Sequence, residues 1–238
     1  MISQEITILL ITAASIGFFH TLFGPDHYLP FVVISKARQW SWAKTAGITF
    51  LCGIGHVASS VILGFIGIAL GLAVTKLEGW ESFRGDTAAW LLIAFGLVYF
   101  AWGLRRAVKN RPHKHVHAHI NGSAHVHEHT HTEEHAHVHE KGNSKNITPW
   151  ILFIIFVLGP CEPLIPLFMY PAAKSSVAGL VLVTLVFGSV TILTMLSIVL
   201  VSTFGIKLIP MERMERYSHS LAGAVIFLCG ISIQFLGL

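Results

Sequence analysis

Long apolar runs, broken at a few points by glycine, proline or a polar stretch, are the dominant pattern of this chain. Six of them approach or exceed the roughly 20 residues an α-helix needs to cross about 30 Å of hydrocarbon. They cover residues 5–36, 44–74, 87–104, 149–171, 177–204 and 218–238. Two are interrupted, the first at Gly24-Pro25 and the fourth at Gly159-Pro160, where a proline without an amide hydrogen kinks or breaks a helix. Between the third and fourth runs lies 105–147, basic at its ends and rich in His, Glu, Asn, Gly and Ser in its middle. Such a stretch cannot bury a core and reads as a flexible loop.

A repeat organises these runs. Shifting the chain by 135 residues lays Gly24-Pro25-Asp26-His27 on Gly159-Pro160-Cys161-Glu162, and Gly53 and His56 on Gly188 and Thr191. A shift of 134 lays Gly96 and Gly103 on Gly230 and Gly237. Three spans per half is an odd number, so the halves cross the membrane in opposite directions, an arrangement found in secondary transporters whose sites form at interrupted helices. The expectation is an all-α integral membrane protein of six transmembrane helices in two inverted three-helix repeats, with broken first and fourth helices. Residues 1–104 form one repeat and 148–238 the other, with the loop 105–147 between them.

Composition agrees: of 238 residues 53% are hydrophobic and 12% charged, far from an average soluble domain. The net charge of +4 would suggest nucleic acid in a soluble protein, but here the basic residues flank apolar spans, so nucleic-acid binding is excluded and the partner surface is the lipid bilayer. On alternate sides of a six-span layout, one side carries thirteen Lys and Arg and the other only Lys76, Arg84 and Lys174. This bias predicts a multi-pass protein of the cytoplasmic membrane with both termini outside and the His-rich loop in the cytoplasm. The apolar stretch from Ile6 onward, lacking a basic start, reads as a retained helix rather than a cleaved signal. Cys52, Cys161 and Cys229 all lie in apolar segments, which argues against a disulfide framework.

Ionisable residues inside spans are few and costly, at least about 2.5 kcal/mol each on insertion scales, so each asks for a partner, a cavity or an ion. His20, Asp26 and His27 surround the first break, and His56 lies in the second span with Ser59 and Ser60 on its face. Three imidazoles and a carboxylate suit a divalent first-row ion and make these four the candidate metal ligands. His56 alone fits a helix-packing histidine as well. At the second break Cys161 is a candidate soft ligand, or a small buried hydrophobe, and Glu162 a candidate for coupling proton binding to metal release. Cys52 and Cys229 read as packing residues, and His219 as an interface anchor.

Eleven of the fifteen histidines fall in the loop: His113, His115, His117, His119, His125, His127, His129, His131, His135, His137 and His139. Their alternation suits a chain that captures several ions loosely, as an accessory to a path through the membrane.

These residues resemble the nickel/cobalt transporter superfamily, in particular its nickel/cobalt efflux and urease-accessory membrane branches. The stretch His20 to His27, the Gly55-His56 and Ser59-Ser60 segment, the Pro160-Cys161 break and the His-rich loop carry the likeness. It implies a secondary transporter, not an enzyme, that moves nickel(II) or cobalt(II), with zinc also fitting, by alternating access. Efflux is slightly favoured over uptake, no permanent cofactor is implied, and a metallochaperone is a candidate partner. Two other classes stay open. One is a membrane thiol–disulfide electron carrier of the cytochrome c biogenesis type, which needs two exchangeable cysteines where Cys161 faces Asp26 across the repeat. The other is a non-transporting metal-delivery accessory protein for urease or hydrogenase maturation. No phosphate-binding Gly-x-x-x-x-Gly-Lys motif is present, so ATP-driven pumping by this chain is disfavoured.

Overall fold

A computed structural model describes residues 4–109, 113–118, 124–129, 147–173, 176–208 and 215–236. The apolar runs form α1 (Gln4–Phe23), α2 (Leu29–Ala37), α3 (Trp42–Ala69), α4 (Val74–Lys109), α5 (Thr148–Leu158), α6 (Leu164–Ala173), α7 (Val177–Leu208) and α8 (Ser218–Leu236). Within the histidine-rich interval, β1 (His113–Ala118) and β2 (Ala124–His129) pair antiparallel, with His113, His115 and His117 in register with His129, His127 and His125. Where a loop is expected, the backbone therefore forms a two-stranded ribbon with three histidine pairs in register. The membrane part is all-α.

Among the described residues five helices are long and apolar enough to cross a membrane: Gln4–Phe23, Trp42–Ala69, Val74–Lys109, Val177–Ile206 and Glu215–Leu236. The expected fourth span is instead split into α5 and α6, of 11 and 10 residues, because the chain stops being helical at Gly159-Pro160. The third span also begins earlier than its hydropathy suggests, at Val74 rather than 87. Charged residues between Lys76 and Asp86 dilute its apolarity, yet Leu77, Glu81 and Gly85 are buried at helical spacing and form a continuous inner face.

Local chemistry fixes the ends. Ser41 caps α3 by accepting a hydrogen bond from the Lys44 amide at 3.3 Å. At the end of α2 the chain reverses through Gln39, at φ 51°, and the Trp40 amide closes the turn on the Ser35 carbonyl at 2.9 Å.

Packing runs mainly between the two sequence halves. α1 lies on α7, α3 on α5 and α7, and α4 along the whole of α8. The α4–α8 contact is backbone to backbone: a β-carbon at Gly96 would collide with Phe227, and one at Gly223 with Phe100. Small residues permit such close approach where lipid, being as apolar as leucine, provides no hydrophobic drive between helices. One apolar core gathers Phe31, Ile34, Leu152, Met195 and Ile226, and another Ala13, Cys161, Leu164 and Phe187. Ile8, Phe50, Trp90, Val98, Leu193 and Val201 point outward, as lipid-facing side chains do.

Candidate site at the two helix breaks

α1 ends where the Gly24 amide bonds to the His20 carbonyl at 3.0 Å. Pro25 cannot extend that ladder, so Pro25–His27 forms a single tight turn before α2 starts at Leu29. The turn brings His27 back under His20, with ring centroids 4.7 Å apart. His56, from the middle of α3, closes the group at 5.0 Å from His27 and 6.4 Å from His20. One ring nitrogen from each of the three lies within 4.8 Å of the others.

Two of the rings are held by their far nitrogens. His27 Nδ1 lies 3.1 Å from the Gly24 carbonyl and 3.0 Å from Asp26 Oδ1, and His56 Nδ1 lies 3.3 Å from the Phe156 carbonyl. Those oxygens only accept, so Nδ1 donates in both rings and each Nε2 keeps a lone pair. The Nε2 atoms of His20, His27 and His56 are all buried and without a hydrogen-bond partner. Rings oriented by a carboxylate or carbonyl, with the opposite nitrogens orphaned towards one point, form the arrangement seen around bound metal ions. Asp26 is expected as a ligand but takes a different place: its carboxylate orients His27, and the cluster of converging ligand atoms consists of the histidines.

The second break is held differently. The Cys161 amide donates to Glu81 Oε2 at 3.1 Å, and Glu81, fully buried on α4, is paired through Oε1 with Arg84 at 2.5 Å. Arg84 also donates to Ser59 Oγ at 2.6 Å, to the Val157 carbonyl at 2.8 Å and to the Gly159 carbonyl at 3.3 Å. One guanidinium thereby ties α3, α4 and the open end of α5 together, satisfying carbonyls that the break leaves without helical donors. Neither Glu81 nor Arg84 is among the expected site residues. Their signal in the sequence is an acidic and a basic residue three apart at the head of an apolar span.

Cys161 is buried and unpaired, as are Cys52 and Cys229. Glu162 is exposed, in place of the apolar surroundings expected for a proton-coupling carboxylate. It lines, with Asp26, Asp86, His20, His27 and Gln234, a cavity of about 830 Å³ that opens from the histidines. Asp26 faces this cavity with 28% of its side chain exposed. His219 stands apart, hydrogen-bonded to the Tyr99 hydroxyl at 2.8 Å and edge-on to Trp102. The capture role expected for the loop histidines rests on side chains outside the described residues, and His119, His131, His135, His137 and His139 lie outside them altogether.

Comparison with known proteins changes the family. The model of the cytochrome c biogenesis protein transmembrane region matches residues 29–232, spanning His56 and the whole second break. No curated protein and no solved structure matches the chain. This match overturns the nickel/cobalt transporter assignment and, with it, nickel or cobalt transport as the function. The motifs behind that resemblance are a handful of His, Gly and Pro residues at helix breaks, and a shared way of breaking a membrane helix produces them in more than one family.

Proposed function

Since the chain belongs to the cytochrome c biogenesis transmembrane-region family, we propose that it is a membrane component for thiol–disulfide exchange, with Cys161 as the exchanging sulfur. The match over 29–232 is the observation that carries this reading. Cys161 lies at the second break, and its neighbours Pro160, Glu162 and Pro163 line the cavity.

The chain has one cysteine at the breaks, so the exchange runs through a mixed disulfide with a second thiol supplied by a partner. The Cys161 thiolate attacks a substrate disulfide, the new S–S bond forms, and the displaced sulfur leaves and takes up the proton that Cys161 lost. A dithiol partner protein then attacks the Cys161 sulfur, the substrate's second sulfur leaves as thiolate to complete the reduced substrate, and the partner's second thiol closes the partner's own disulfide and displaces Cys161 as thiolate. The net change is one partner dithiol oxidised and one substrate disulfide reduced.

The same reading includes the inverted pair of three-helix halves. Its support is reciprocal packing, in which α1 meets α7, α3 meets α5, and the last helices of each half, α4 and α8, meet each other. The one-sided distribution of Lys and Arg supports termini outside and the histidine-rich interval in the cytoplasm. The test is reconstitution of the full chain in liposomes with a reduced thioredoxin-like dithiol protein and a disulfide-linked fluorogenic peptide. Peptide reduction should proceed with the natural chain and fall about tenfold or more in Cys161→Ser. An unchanged rate in Cys161→Ser overturns the reading.

A further inference from the structure

Thiol exchange leaves the three converging histidines without a task. Three buried Nε2 atoms without partners are expensive in an apolar interior, because each has lost its hydration with nothing in exchange. The Nδ1 bonds of His27 and His56 account for one nitrogen of each ring and leave the Nε2 atoms without a task.

We propose that His20, His27 and His56 hold a resident late transition-metal ion, copper(I) in preference to zinc(II), as a fixed part of the site and not as a transported species. Imidazole nitrogens suit late first-row ions, copper and zinc among them. Charge balance favours the monovalent ion. Acting as ligands the three imidazoles are neutral, and Asp26, bonded to His27, brings one negative charge to the group, so a single positive charge leaves the whole nearly neutral. The ligand atoms lie within 4.8 Å of one another, so binding at about 2 Å per nitrogen asks for roughly an ångström of closure by the rings. The acidic cavity beyond His20 and His27, lined by Asp26, Asp86 and Glu162, supplies an entry route that attracts cations.

The full chain, purified in detergent, is loaded in separate arms with copper(I) or zinc(II), then washed with a chelator that strips accessible ions, including any on the loop histidines. Metal per chain is read by elemental mass spectrometry. About one copper per chain should remain, as expected of a buried three-ligand site with slow exchange. Retention should fall at least tenfold in His27→Gln and His56→Gln, stay unchanged in His219→Ala, and fall about 10–100-fold in apparent affinity in Asp26→Asn, which removes an orienting partner and no ligand. X-ray absorption on the retained copper should show a first shell of three nitrogens. As a check that does not depend on yield, copper should raise the unfolding temperature of the natural chain and leave that of His27→Gln unmoved. Retained copper in a His20→Gln/His27→Gln/His56→Gln triple variant, or sulfur in the first shell, overturns the proposal; zinc retained while copper is lost overturns the charge argument. Cys161→Ser should keep its copper, so that failure of thiol exchange and failure of the metal site give separate results.

Discussion

Beside the first helix break three rings bring one nitrogen each to within 4.8 Å of the others, and a carboxylate orients one of them. At the second break the only reactive atom is the Cys161 sulfur, and it is the backbone there that is gripped, by Glu81 and Arg84. Both breaks arise from the same Gly-Pro pair and both free helical carbonyls. The first answers with a tight turn that bonds within itself, Gly24 to His20 and His27 to Gly24. The second has a gap of several residues and borrows its donors from α4. A self-contained break leaves its side chains available for a ligand, whereas one held from outside depends on the helix that holds it.

That contrast can be broken most sharply at Arg84. Arg84→Ala strands the fully buried Glu81 charge and removes donors from three helices, an expected loss of about 3–5 kcal/mol. It should appear as a large drop in unfolding temperature in detergent. Glu81→Leu/Arg84→Met should recover most of that loss if the pair is structural, since well-packed apolar replacements of buried ion pairs are often neutral. A double variant as unstable as Arg84→Ala would show that the break itself needs the guanidinium.

Gly24→Ala comes next. A methyl there would stand 2.5 Å from His27 Nδ1 and 2.9 Å from Asp26 Oδ1, so the turn must deform, at a cost of about 1–3 kcal/mol in the same measurement. Ser59→Ala removes one acceptor of Arg84 and should cost about 1 kcal/mol. Smallest is Gly159→Ala, the counterpart of Gly24→Ala: its methyl would meet His56 Nδ1 at 3.2 Å and the Phe156 carbonyl at 3.3 Å, and it should cost less than about 1 kcal/mol. Equal costs for the two glycine variants would remove the distinction between the breaks.

Much of this was legible in the sequence because it rests on local rules. Gly-Pro inside an apolar run announces a break wherever it occurs, and a histidine inside a span announces a polar cluster, so His20, His27 and His56 were expected together. The length of α4 was not legible, since its first turns mix charged residues with a buried face that hydropathy averages away. Nor was the Glu81–Arg84 clamp, whose partners, Ser59, Val157 and Gly159, lie 25 to 75 residues away and meet only through packing. Glu162 was misjudged for a related reason: its neighbours in sequence are apolar, but the space it faces is the cavity. The family was legible only as an alternative, the cytochrome c biogenesis type, which the match over 29–232 now favours; short break motifs describe how a membrane helix is interrupted and say little about lineage.

The glycine seam between α4 and α8 has a mechanical meaning. With Gly96 against Phe227 and Gly223 against Phe100, two backbones interlock so closely that neither helix can rotate or slide along the other without steric collision. The pair therefore behaves as a fixed frame with few degrees of freedom of its own. Arg84 extends that frame to α3 and the end of α5.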